Sequence, residues 1–177
     1  MVDGDTIEAA RRGRRDAQAT LLTSLQDVWF RFCLSQLRGD RDLAADATQE
    51  TALRFLKQLP TFRGESQLQT WSLSIALNVV RETRRKRATE SLDSNNSNED
   101  AIAATPRVAR LNEDENALLK QTLASLSDRQ RQAITLRFFE ELSVDQTATV
   151  MNCATGTVKA TVHQALRALR EKLKQLQ

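Results

Sequence analysis

Residues 143–173 read SVDQTATVMNCATGTVKATVHQALRALREKL. Ser143 with Gln146 three positions on is a capping box, in which each residue's side chain satisfies the other's backbone N–H, so a helix starts there. It ends near Met151, because Asn152 tolerates the left-handed backbone of a tight turn. Thr155-Gly156-Thr157 opens a longer helix, expected to carry Val158, Val162, Ala165, Leu166, Leu169 and Leu173 on its inner side. A short helix, a three-residue turn and a longer helix form a helix-turn-helix layout, with Ala148 and Val158 where the two helices approach. The first turns of its second helix face base edges in the major groove. Those residues are Thr155, Thr157, Lys159 and His163, with Arg167 further along. Spacing alone also permits an ordinary hairpin of a helical bundle.

Upstream, Ser127-Asp-Arg-Gln130 is a second capping box and starts another helix. Before it lies SLDSNNSNEDAIAATPRVARLNEDEN (91–116), rich in Ser, Asn and Asp and interrupted by Pro106. Such a composition buries too little apolar area to offset the entropy of ordering, so 89–112 reads as a flexible linker. Two small helical domains, 1–88 and 113–177, are expected on either side.

Helical periods dominate the N-terminal block. Leu21, Leu22, Leu25, Val28, Trp29, Phe32 and Cys33 form a broad stripe over Asp16–Leu37. Gly39 ends that helix and Asp40 caps the next. There Leu43, Ala47, Thr51 and Phe55 form one row beside Ala44, Thr48, Ala52 and Leu56. Asp46, Gln49, Glu50 and Arg54 fall on the opposite face. Pro60 stops this helix, and TFRGESQLQT (61–70) is a polar loop with one aromatic, Phe62. A last helix, expected from about Thr70 to Arg87, aligns Trp71, Ile75 and Val79 behind Leu68. It then runs into Arg81, Arg84, Arg85, Lys86 and Arg87. Cations at a helix end satisfy its terminal carbonyls. Five in seven residues exceed that need and point to a polyanion.

The 177 residues carry 26 Lys/Arg and 23 Asp/Glu, a net charge of +3. The distribution is uneven: residues 1–88 carry 15 basic and 11 acidic side chains, 89–117 carry 2 and 7, and 118–177 carry 9 and 5. Two basic blocks therefore flank an acidic stretch. Five Gly, two Pro and no Tyr argue against a sandwich or barrel. No apolar run approaches the ~20 residues of a membrane span, and the N-terminus lacks a secretory apolar segment, so a cytoplasmic protein without direct membrane insertion is expected. Cys33, Cys153 and the single histidine, His163, are too scattered for a metal site or for Cys-His chemistry. Neither a phosphate-binding nor a dinucleotide-binding glycine motif occurs. No catalytic role, cofactor, metal or small-molecule substrate is expected.

Two longer stretches carry a family resemblance. Residues 42–87, DLAADATQETALRFLKQLPTFRGESQLQTWSLSIALNVVRETRRKR, combine an acidic-Gln-Glu helix, a Phe-Arg-Gly loop, a Trp, and an Ile-Ala-x-Asn helix ending in arginines. Residues 123–173, from LASLSDRQRQ through Gly-Thr-Val to a basic terminal helix, complete the pattern. In this order and separation they resemble the extracytoplasmic-function class of bacterial RNA polymerase sigma factors, which join sigma regions two and four through a linker. The resemblance implies that Asp46, Gln49, Glu50 and Arg54 dock on the clamp helices of core RNA polymerase. It implies that the Phe62–Gln69 loop, including Arg63, together with Trp71 and Asn78, captures bases of the melted minus-ten element, while Arg81, Arg84 and Arg85 hold its backbone. Stacking, polar pocket contacts and a basic surface are what single-strand capture requires. An anti-sigma factor is the implied regulatory partner, besides core polymerase and promoter DNA. Where the family offers Ser, Arg and Arg in the recognition helix, this chain has Ala160, Thr161 and Gln164, which reduces its phosphate contacts.

A stand-alone helix-turn-helix activator would bind duplex DNA as a dimer on spaced half-sites. It would have no use for a single-strand loop beside Asn78 and an arginine run. A purely protein-binding regulator of polymerase would keep the Asp46 face and dispense with the basic surfaces.

Overall fold

The computed structural model describes residues 3–93, 123 and 125–175, and every regular element among them is helical. An N-terminal unit comprises α1 (Gly4–Arg11), α2 (Arg15–Gln36), α3 (Arg41–Gln58) and α4 (Leu68–Asp93). A C-terminal unit comprises α5 (Asp128–Ile134), α6 (Val144–Met151) and α7 (Thr155–Gln175). Helix α4 runs on to Asp93, past its expected end near Arg87 and into the first residues of the expected linker; the rest of that linker, 94–112, lies outside the described residues, as do 113–122.

In α2 the buried row is Leu21, Leu25, Trp29, Phe32 and Cys33, and α3 answers with Ala44, Ala47, Thr51 and Phe55. Burial pushes the Cys33 thiol up to about 12, so it stays neutral packing material. Between the helices Arg38 and Gly39 both adopt positive φ, 58° and 86°. The Gly39 N–H returns to the Leu34 carbonyl at 2.8 Å, satisfying a carbonyl of the last turn of α2. Asp40 then caps α3, accepting from Leu43 N at 3.0 Å.

Helix α4 is buried on more than one face. Leu73, Ile75, Ala76, Leu77, Val79 and Val80 are all buried, because α2 and α3 cover one side and α6 another. Leu136, Leu142, Val150 and Met151 of the C-terminal unit belong to the same continuous core as Trp29 and Phe55. Polar contacts edge this seam. Ser35 Oγ and Thr135 Oγ1 are 2.8 Å apart, and Gln36 Nε2 donates to Thr135 Oγ1 at 3.2 Å. Arg31 lies 3.6 Å from the buried Glu140, and Arg84 pairs with Asp128. This second contact explains why Leu34 and Gln36 are buried although they lie off the expected α2 stripe.

Both expected capping boxes form, around Ser127/Gln130 and Ser143/Gln146. Thr135–Phe139 continue α5 as one wider π-helical turn. A small cluster of Leu126, Ile134 and Ala165, with Phe139, Val162 and Leu169 packed against it, holds α5 to α7. The expected inner side of α7 is corrected here. Val158 and Ala165 are fully buried, but Leu166 and Leu173 are 43% and 42% exposed, and Thr161 turns inward instead. Among the described residues, the short α5 and α6 cover a narrow arc of α7 that does not include Leu166 and Leu173.

Candidate nucleic-acid interface

Three surfaces carry the residues singled out in the sequence. The first lies on α4. Trp71, Asn78, Arg81 and Arg85 recur at intervals of seven, three and four, so they share one face of the helix. Asn78, Arg81 and Arg85 are exposed and Trp71 is half-buried. The sequence between Phe62 and Leu68 joins this face as an exposed loop. Gly64 adopts a positive φ of 74° there, and Arg63 lies 3.9 Å from Glu65.

Phe62 is 6% exposed, so it is not presented to solvent. Its ring packs on Trp71 at 4.9 Å between centroids, and the contact continues from Trp71 to Phe55 (5.5 Å) and from Phe55 to Trp29 (5.1 Å). Trp29 Nε1 donates to Ser72 Oγ at 3.0 Å, locking this row against the start of α4. The loop is therefore mounted on the core through its only aromatic. Arg84 is turned away from the Asn78 face, toward α5.

The second surface lies on α3. Asp46 and Gln49 are exposed and Glu50 is half-buried. Leu53, which the sequence reading did not single out, stands beside them and is 65% exposed. It adds one large apolar side chain to an otherwise polar face. Its signal was available: Leu53 falls on the Asp46–Gln49 side of the helix. Arg54 is engaged within the chain. It pairs with Glu50 at 2.6 Å and, through two nitrogens, with Glu82 of α4 at 2.8 and 2.7 Å. Those hydrogen bonds raise the Arg54 pKa further and hold the Glu82 carboxyl below its usual range.

The third surface is the start of α7. Asn152 adopts the left-handed conformation (φ 51°, ψ 59°), and Cys153 N–H returns to the Ala148 carbonyl at 3.0 Å, which sets the turn from α6. Thr155, Lys159, His163 and Arg167 are exposed and Thr157 is half-buried. Arg167 is bonded to Glu171 at 2.9 Å. Among the described residues no group of His, Cys, Asp or Glu could hold a metal, and no helix is long and apolar enough to cross a membrane.

Comparison with known proteins matches the same two parts of the chain. Residues 21–90 match sigma-70 region 2, and residues 116–169 match sigma-70, region 4. The RNA polymerase sigma-H factor of Pseudomonas aeruginosa is 30% identical over 98% of this chain and 95% of its own length. The ECF RNA polymerase sigma factor SigW of Bacillus subtilis is 26% identical over 96% of both chains. Among solved structures, the sigma factor RpoE in complex with the anti-sigma factor NepR from Bartonella quintana superposes with a TM-score of 0.77. It is 29% identical, and the match covers 88% of this chain and 96% of that one. With both conserved regions in sequence order and relatives alike over nearly their whole length, the chain belongs to the sigma-70 family, in its extracytoplasmic-function class of RNA polymerase sigma factors.

Proposed function

We propose that this sigma factor divides promoter recognition among the three surfaces. The family binds core RNA polymerase and directs it to promoters for initiation. In this chain Asp46, Gln49, Glu50 and the exposed Leu53 dock on the polymerase clamp, with Arg54 bracing that face against α4. Asn78, Trp71 and the loop with Arg63, mounted on Phe62, take up bases of the melted minus-ten element. Arg81 and Arg85 track its backbone, whereas Arg84, expected to join them, is engaged by Asp128. Thr155, Thr157, Lys159, His163 and Arg167 read the upstream duplex. The observation that carries the reading is the α4 face, where a polar and basic row stays exposed on a helix otherwise buried on several sides.

The division into 1–88 and 113–177, joined by a linker at 89–112, belongs to the same reading and rests on composition. The protein is not itself an enzyme, since the polymerising chemistry is its partner's, and it works in the cytoplasm where that partner is. An anti-sigma factor is its regulator, a reading supported by the solved relative bound to one.

The test is Asn78→Ala with Arg81→Ala in holoenzyme. Both side chains are exposed, so folding is unaffected. Promoter opening should fall about tenfold or more, since extruding a base costs a few kcal/mol that pocket contacts must offset. Core binding should stay unchanged, because α3 presents a different face. Equal loss of both activities would refute the assignment of faces.

A further inference from the structure

Residues 11–15 read RRGRR and join α1 to α2. Gly13 takes a positive φ of 87° in an open turn, so a pair of arginines stands on either side of a sharp reversal. Arg12, Arg14 and Arg15 are exposed. Glu8 receives both Arg11 (2.8 Å) and Arg12 (3.2 Å), Asp16 receives Arg14, and Arg15 has no carboxylate partner among the described residues. Four guanidinium groups therefore share two carboxylates. Helix stability does not ask for them. Arg14 is the N-cap of α2 without a side-chain capping bond, and Arg15 is its first residue, where the helix dipole disfavours a cation. Cations placed against local stability point to an external anion.

This turn lies beside the loop assigned to the melted element. Helix α1 packs on the short turn Leu59–Thr61, from which that loop leaves. Arg11 Nη2 donates to the Pro60 carbonyl at 3.4 Å, and the exposed Arg63 follows three residues on, a span of at most about 10 Å. We propose that the α1–α2 turn is a further DNA-binding surface, taking phosphates of the melted strand where the loop begins, as α4 takes them where it ends. Arg11 anchors the turn to the loop, and Arg12 and Arg15 contact the backbone. Proteins that hold unpaired strands follow the backbone over about 4–16 nucleotides with a basic groove. Arg81 and Arg85 supply that groove on one side of the captured bases, and the turn continues it on the other. The proposal rests on the assignment of the loop and α4 to the melted strand made above.

The experiment compares Arg12→Gln with Arg15→Gln, as one double variant, against Arg12→Lys with Arg15→Lys, both in holoenzyme. Core RNA polymerase with the native protein transcribes genomic DNA, and the sequenced 5′ ends supply a promoter. Binding is titrated against KCl on two templates made from it: a fork with the minus-ten strand unpaired, and the upstream duplex alone. On the fork the Gln variant should bind severalfold more weakly. Its slope of log affinity on log KCl should be shallower by about 1.4, since each single-strand phosphate contact contributes about 0.7. The Lys variant should keep the native slope, because lysine also offers phosphate a full positive charge. Neither variant should change binding to the upstream duplex or to core polymerase. A native slope for the Gln variant on the fork would overturn the proposal, as would a Lys variant as weak as the Gln variant. An equal loss on the upstream duplex would overturn it too, and so would a loss of core binding, which would make the partner an acidic face of the polymerase. The reading beneath it fails separately: Asn78→Ala with Arg81→Ala would then leave binding to the fork at its native level.

Discussion

Phe62 shows how far a single side chain's chemistry can be read before its surroundings are known. An aromatic in a polar loop suggests a stacking platform for a base, yet here the ring is packed on Trp71 and closes a row reaching Trp29. In the proposed base capture, its part is to fix where the loop begins. Phe62→Ala should therefore destabilise the folded chain by about 3–5 kcal/mol. Phe62→Leu, which keeps most of the volume, should cost about half that or less. Thermal unfolding checks this: a stability unchanged in Phe62→Ala would return the ring to the solvent-facing role. The loop's composition was legible from the sequence, but the partner of its aromatic was not, because Trp71 becomes a neighbour only when α4 folds back beside the loop. Arg54 illustrates the same limit: its partner Glu82 lies 28 residues away and on another helix.

Elements were legible where the signal is local. Both capping boxes and the left-handed Asn152 follow from residues three or four positions apart, and each appears as read. Asn152→Gly should be near neutral, within about 0.5 kcal/mol, because glycine adopts this backbone freely. Asn152→Ala should cost about 1 kcal/mol, since a β-carbon is disfavoured there. Denaturant unfolding of the two variants decides it, and equal stability would mean that the turn relaxes out of the left-handed region. The harder elements were those contacted twice. A one-sided stripe was expected for α2 and α4, whereas Leu34, Gln36 and the second face of α4 are covered by the C-terminal unit. On α7 the reverse holds: Leu166 and Leu173 fit an apolar row but are 43% and 42% exposed, with no helix over them among the described residues. Periodicity indicates which side chains need cover and is silent on how many neighbours arrive.

For the whole molecule, order along the chain was readable and association was not. The composition of 89–112 suggested two separate units, yet Leu136, Leu142, Val150 and Met151 share one core with the N-terminal helices. Limited proteolysis of the free protein should cut first within 89–112, and the two pieces should still elute together on size exclusion. Elution of separate pieces from the nicked protein would show that the seam depends on the covalent connection. The same geometry has a consequence for how the protein behaves in concentrated stocks. Nothing in the Ser35, Gln36 and Thr135 contacts distinguishes a C-terminal unit of the same chain from that of a neighbour. Self-closure wins only because the connection keeps the local supply of its own unit at about the millimolar level. As protein concentration approaches that level, two chains should exchange C-terminal units and form a reciprocal dimer through the same seam, and a mass that stays monomeric at those concentrations would refute this.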